Sequence, residues 1–263
     1  MRLSRSALLD RLLAPAPDAA RVAWLRGVAY AHRGLHGPGA VENSPTAFAR
    51  AVAAGLGIEC DVQETADGEA AVFHDLTLER LTGEAGAVAD RTLVDLRQVA
   101  LTGSADTIPA LRDLLALVGG RTPLLVEIKA RADRSVAALC RTVQRAFEGY
   151  AGDHAVMSFD PRVGRWFAHH APETVRGLVV AEADSPGWRG RWRRRRAVWH
   201  ARPDFLACDV RDLPSRFAAC HRARGLPVLT WTVSDAALLT RAREHADAPI
   251  AEGEGLASAL ASP

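Results

Sequence analysis

Eight short apolar stretches, most of them followed by a segment with helical spacing, narrow the folds open to this chain more than any other feature. The strand-type stretches are 27–32, 57–64, 124–129, 154–159, 175–181, 204–209, 227–233 and 249–252. Helical spacing recurs between most of them, at 46–54, 110–118, 134–147, 162–170, 215–224 and 236–245. Eightfold strand–helix alternation predicts an α/β fold, the parallel (β/α)8 TIM barrel, and 263 residues is close to that fold's usual length. The count stays at eight if 70–74 is the return arm of a β-hairpin after strand 2, turning at Asp67-Gly68, and not a stave of the barrel. Residues 76–107 are turn-rich and too long for an ordinary connection, which predicts a small inserted cap over the mouth. The expected division is an N-terminal helix and lead-in over 1–26 and one barrel domain over 27–263.

The second strand carries the chemistry. Ile58, Cys60 and Val62 alternate with Glu59 and Asp61, so an apolar face packs outward against helices while both acids point inward. The hairpin's return arm brings His74 near the level of Asp61. A third inward acid, Glu127, shares a strand face with Lys129, and His32 ends the first strand. In such barrels the reacting groups come from the C-terminal ends of strands. Buried carboxylates need positive partners. Arginines could neutralise the acids one by one, but a single divalent cation held by oxygens accounts for all three, with imidazoles beside it for proton transfer. Lys129 is also the one lysine among 33 basic residues. A composition that uses arginine wherever charge alone suffices implies a position needing a compact ammonium.

His32-Arg33-Gly34, Glu42-Asn43, Glu59-x-Asp61, the Asp67-Gly68 hairpin, His74-Asp75 and Glu127-Ile128-Lys129 together resemble the signature of glycerophosphodiester phosphodiesterases. The resemblance continues through 77–83, 108–111, Ser158-Phe159 and Trp231-Thr232-Val233, dense over 28–130 and thinner beyond. It implies Glu59, Asp61 and Glu127 as metal ligands, and hard oxygen donors favour Mg²⁺ or Ca²⁺ over zinc. It implies His32 and His74 as the acid–base pair, Arg33 and Lys129 on the phosphate, and Glu42 facing the site. The implied reaction hydrolyses a small glycerophosphodiester to glycerol 3-phosphate and an alcohol. The alternatives are a lysophospholipase D-like enzyme, whose substrates keep one acyl chain, and a non-enzymatic phosphodiester-binding barrel. Asn43 reads either as a site residue or as a helix N-cap before Thr46. Trp231 is either an apolar wall for the alcohol or barrel core. Asp75 either orients a neighbour or begins the cap, and His36 reads as an exposed loop histidine. The pattern departs at the C-terminus, where members carry an Ile-Thr-Asp-type strand and this chain reads Pro249-Ile250-Ala251-Glu252-Gly253. The resemblance therefore assigns Glu252 no role.

A formal net charge of +2 makes no general case for nucleic-acid binding. Cys60, Cys140, Cys208 and Cys220 lack metal or disulfide spacing, which predicts reduced thiols and a cytoplasmic protein. There is no transmembrane run, and Asp10 and Arg11 interrupt the apolar stretch 7–13, against a signal peptide. Leu8, Leu9, Leu12 and Leu13 share one helical side, predicting a helix over the barrel floor, with a membrane-surface anchor as the alternative. The run 188–202 holds Arg189, Arg191 and Arg193 to Arg196. Trp188, Trp192 and Trp199 share a helical face, expected to pack on the strands while the arginines are solvated. Weak peripheral contact with anionic lipid and a nucleic-acid-binding role are the other readings of that run.

Overall fold

The computed structural model describes residues 12–131 and 133–261. Eight parallel strands close into a barrel: β1 (Tyr30–Ala31), β2 (Gly57–Glu64), β4 (Leu124–Ile128), β5 (His154–Ser158), β6 (Val175–Val180), β7 (Phe205–Asp209), β8 (Val228–Val233) and β9 (Ala248–Ala251), which pairs back onto β1. β3 (Ala70–Val72) is antiparallel to β2 and outside the ring, with Val62 opposite Val72. The hairpin and the eight staves are as the alternation predicted. The helices are α1 (Pro45–Ala53), α2 (Glu79–Thr82), α3 (Leu93–Leu96), α4 (Leu111–Val118), α5 (Ala137–Ala146), α6 (Pro161–His170), α7 (Gly187–Ala201), α8 (Arg216–Arg222), α9 (Ala236–His245) and α10 (Gly253–Ala261).

Strand alternation builds two cores. Outward residues such as Ile58, Cys60, Val126 and Ile128 pack with Phe48, Leu114 and Val143 of the surrounding helices. Inward residues Tyr30, Leu125, Met157, Phe205, Leu229 and Ile250 fill the ring itself. Gly177 makes room there, since a Cβ would come within 2.3 Å of the Phe205 ring. Val22 and Leu25 are buried against this inner core, so the short turn around Ala23–Leu25 plugs the floor. Most of the expected floor helix, Leu8 and Leu9 included, lies outside the described residues. Leu12 and Leu13 are described, and both are exposed.

Three local expectations change. The first strand shrinks from 27–32 to Tyr30–Ala31; Gly27 with φ of 73° stands before it, and Arg33 and Gly34 with φ of 57° and 81° turn the chain after it. The N-cap of α1 is Ser44, whose hydroxyl accepts from the Ala47 N–H with Pro45 in the first helical turn, so Asn43 is free for another task. The third concerns α7. Its buried side is Gly190, Val198 and Ala201, whereas Trp188 and Trp192 are 62% and 53% exposed. A Cβ on Gly190 would strike the Ser185 carbonyl, so in the first turns glycine takes the close-approach side and the indoles of Trp188 and Trp192 turn outward. The tryptophan periodicity is real, but of the three indoles Trp199 packs against the core while Trp188 and Trp192 look to solvent.

Between β3 and α4 the chain forms a small unit with its own core of Phe73, Leu78, Val88, Leu96, Val99 and Ile108. It holds α2, a 3-10 turn (Val88–Asp90) and α3, and its leading residues Leu76 and Thr77 border the cavity at the barrel mouth.

Candidate active site

Register explains why the acids meet. Asp61 pairs directly with Glu127 across the parallel β2–β4 ladder, and Glu59 lies two residues earlier on the same inward face. Ligand oxygens of Glu59, Asp61 and Glu127 lie within 4.8 Å of one another, the one such group among the described residues. The three residues are 1%, 1% and 8% exposed, so water cannot hydrate the charge they carry together. Burial, reinforced by Asp61 and Glu127, pushes the Glu59 carboxyl well above its ordinary range. Burial also pushes Glu127 up against the pull of Lys129, whereas for Asp61 the attraction of Lys129, His74 and Arg33 outweighs burial and the net shift is downward.

Lys129 follows β4 and its ammonium bridges Asp61 (2.9 Å) and Glu127 (2.7 Å). Arg33 stands 3.4 Å from Asp61, and its backbone N–H donates to Glu59 at 3.0 Å. Arg33 holds a left-handed backbone, uncommon outside glycine, and this turn aims both groups inward. Asn43, with φ of 56°, clasps Asp61 twice. Its amide donates to the carboxylate (3.0 Å) and its carbonyl accepts the Asp61 N–H (3.2 Å). Asn43 is thus a site residue and no cap. Two cations face three buried acids, and Glu59 has no full cation of its own; its Oε1 has no hydrogen-bond partner. An oxygen-only donor set with an unpartnered buried oxygen fits a hard divalent cation.

Each expected histidine is tethered to a carboxylate. His32 follows β1 and Glu252 follows β9, and because Ala31 pairs with Ala251 the two side chains meet, Nδ1 to Oε2 at 2.6 Å. The other nitrogen, Nε2, lies 4.0 Å from Glu59. The hydrogen bond with His32 holds Glu252 far below the usual carboxylate range. His74 Nδ1 contacts Asp75 at 2.7 Å. Burial lowers the His74 pKa despite the opposing pull of Asp61, and the neutral imidazole is favoured. In a neutral imidazole, a carboxylate accepting from Nδ1–H leaves the Nε2 lone pair free.

Glu42 is at the rim, not on the acid cluster. It accepts from Arg33 (2.7 Å) and from Arg80 of α2 (2.7 and 3.0 Å), and Arg80 also grips Asp75. Trp231 on β8 donates its indole N–H to the Ala207 carbonyl and meets Phe159 edge-on at 5.4 Å. It packs against the inner core, while Phe159 reaches the cavity. That cavity, about 1110 Å³, is lined by His74, Glu127, Lys129, Phe159, Leu76 and Arg193 among others.

The fold therefore brings together His32, Arg33, Glu59, Asp61, His74, Glu127 and Lys129, with Glu42 and Trp231 one layer away. Sequence reasoning gave three partners no role in the site. Glu252 departs from the usual family pattern, Arg80 lies in the turn-rich insert, and His36 turns out half-buried with Nε2 3.6 Å from Glu252. Only the level of strand ends around the ring could have signalled Glu252.

The comparisons agree with this geometry. The model of the glycerophosphoryl diester phosphodiesterase family matches residues 32–250. A glycerophosphodiester phosphodiesterase of Bacillus altitudinis is 39% identical over 109 residues, 39% of this chain, and the match spans 44% of that protein's length. Glycerophosphodiester phosphodiesterase 1 of Bos taurus is 30% identical over 249 residues, 78% of this chain and 71% of its own. Among solved structures, an Oleispira antarctica phosphodiesterase in complex with the product sn-glycerol-3-phosphate superposes with a TM-score of 0.78 at 21% identity, covering 91% of this chain and 98% of that one. Matched across most of its length, the chain belongs to the glycerophosphoryl diester phosphodiesterase family.

Proposed function

We propose that this protein is a phosphoric diester hydrolase that cleaves glycerophosphodiesters into glycerol 3-phosphate and an alcohol. The observation that carries the proposal is the pair of carboxylate-tethered histidines beside an all-oxygen cluster that also holds Lys129. In this reading Glu59, Asp61 and Glu127 hold one Mg²⁺ or Ca²⁺. Such an ion, when bound, supplies positive charge to the phosphate oxygens. Lys129 and Arg33 orient the phosphate and offset charge that develops as the bond to the leaving oxygen breaks. One histidine takes at its Nε2 the proton of the attacking oxygen, either that of water or the glycerol 2-hydroxyl, whose cyclic phosphate water then opens. The other, as imidazolium, delivers a proton to the departing alkoxide. Glu252 and Asp75 stabilise the imidazolium forms and fix the rings. Glu42 sets Arg33, and Trp231 backs Phe159 as the wall for the alcohol.

In the same reading 27–263 is the catalytic barrel, 1–26 its lead-in and 76–107 a cap beside the mouth. Four cysteines without disulfides support action in the cytoplasm. No helix among the described residues is long and apolar enough to cross a membrane. A substrate that keeps one acyl chain is the second reading, supported by the open cavity with Leu76 and Phe159 exposed at its edge.

The test is release of glycerol 3-phosphate from glycerophosphocholine and glycerophosphoethanolamine, with release of choline from lysophosphatidylcholine followed in parallel, in chelator and with added Mg²⁺ or Ca²⁺. Cation-dependent release from the water-soluble diesters is expected, lost in His32→Ala and His74→Ala by at least ~100-fold. Turnover in excess chelator would remove the metal from the scheme. Cleavage confined to the lysolipid would favour the second reading.

A further inference from the structure

A helix on the outside of a barrel normally turns its large apolar side chains to the strands, as α7 does near its end with Val198 and Trp199, but its first turns do the reverse. Trp188, Trp192, Arg195 and Trp199 stand at i, i+4, i+7 and i+11, one stripe along the helix. Gly190, Val198 and Ala201 take the opposite, buried side. At 62% and 53% exposure Trp188 and Trp192 are large apolar groups left in water, where single exposed apolar residues are ordinary but a cluster is not. Arg189 and Arg196 flank the stripe on one side and Arg191 on the other, all exposed, and the helix contains no acid. Arg189 lies over the Trp188 ring at 5.3 Å. The nearby Glu182 is already paired with the inward-facing Arg194 at 2.8 Å.

Position sharpens the point. α7 begins just after the C-terminal end of β6, so its first turns stand at the mouth of the barrel. Arg193 of this helix lines the catalytic cavity, and two further exposed apolar side chains, Leu76 and Phe159, border the same cavity. Indoles, an aliphatic side chain and a ring of guanidinium groups therefore share one end of the molecule. Phosphate headgroups over an apolar layer match both halves of that surface: arginine binds the anion and tryptophan sits at the water–hydrocarbon boundary. A nucleic acid would use the arginines and the aromatic faces but offers nothing to Leu76.

We infer that the mouth-side face built on Trp188, Trp192 and the flanking arginines docks on an anionic lipid surface, turning the catalytic cavity toward the membrane. This does not depend on which diester the site cleaves, because docking is read without turnover.

The experiment is sedimentation of the full chain with 100-nm vesicles of phosphatidylcholine alone or mixed with phosphatidylglycerol. Binding to the mixed vesicles only is expected, weakening as NaCl is raised. The double variant Trp188→Ala/Trp192→Ala should lower the partition coefficient at least ~10-fold with all arginines in place. Arg189→Gln/Arg191→Gln/Arg196→Gln should do the same with both indoles in place. Both variants should keep wild-type circular dichroism and hydrolysis of soluble glycerophosphocholine. Equal binding to neutral vesicles, no binding to either, or undiminished binding by the tryptophan double variant would overturn the inference. So would binding of a single-stranded RNA without binding of vesicles.

Discussion

Lys129 shows how far one side chain's shape is constrained. Its ammonium touches Asp61 at 2.9 Å and Glu127 at 2.7 Å, two carboxylates belonging to adjacent strands. Three donors on a compact head suit that bridge, whereas a planar, bulkier guanidinium, longer overall, would enter the space between the acids. Displacement of about 1 Å at such a centre costs on the order of 100-fold in rate. Lys129→Arg should therefore lose most activity while its melting temperature stays near wild type, although arginine is the residue this chain uses almost everywhere else. Wild-type turnover in that variant would make the single lysine an accident of composition. Glu252 gives a second expectation at this scale. Among the described residues its carboxylate meets His32 and His36, so in the proposed scheme it acts through the ring and not on substrate. Glu252→Ala should lower kcat by roughly tenfold or more with KM little changed. Glu252→Gln, which keeps an oxygen for the Nδ1–H, should recover part of the loss. A rise in KM at constant kcat would instead place this carboxylate on the substrate.

Between elements, one arginine ties the insert to the barrel. Arg80 of α2 reaches Glu42 before α1 and Asp75 after β3, while Glu42 in turn holds Arg33. Hydrogen bonding from Arg80 leads the lowering of Asp75 to about 2. Glu42 is also lowered, the arginine contacts outweighing its burial. Both carboxylates thus have folded pKa values below their unfolded ones, so their contribution to stability is full above about pH 4.5 and disappears as pH falls toward 2. Arg80 is half-exposed and the contribution is correspondingly modest. Thermal melts of wild type and Arg80→Gln should differ most above pH 5 and converge near pH 2; a constant gap would show that the clamp is not electrostatic. Element boundaries were legible where alternation was strict, as in β2, whose span Gly57–Glu64 follows directly from Ile58, Cys60 and Val62 facing out. They were not legible where backbone conformation decides, as in β1, cut short by the left-handed Arg33. Nor could periodicity say that Trp188 and Trp192 face away while Trp199 packs inward, because the clearance at Gly190 decides how the first turns of α7 sit.

At the scale of the whole molecule, closure of the barrel turns separate strand ends into one site, and closure is what a linear reading captures least. The acids of β2 and β4 are neighbours in a ladder and could be paired from sequence. His32 and Glu252 are 220 residues apart and meet only because β9 returns to β1. The closed ring also concentrates three buried carboxylates against two cations, so in the proposed scheme removing the cation should weaken the fold as well as the chemistry. A divalent cation binding only the folded state at about a hundred times its Kd adds about 2.7 kcal/mol, which for a chain of this size raises Tm by roughly 5–10 °C. Calorimetry in chelator and then in Mg²⁺ or Ca²⁺ should show that rise for wild type. Glu59→Gln removes the acid with an unpartnered buried oxygen. Its Tm in chelator should equal or exceed that of wild type, since one repelling charge is gone, and the rise with cation should vanish. A Glu59→Gln protein that melts lower in chelator yet still gains the full rise would mean that Glu59 serves the fold, and that the cation is held elsewhere.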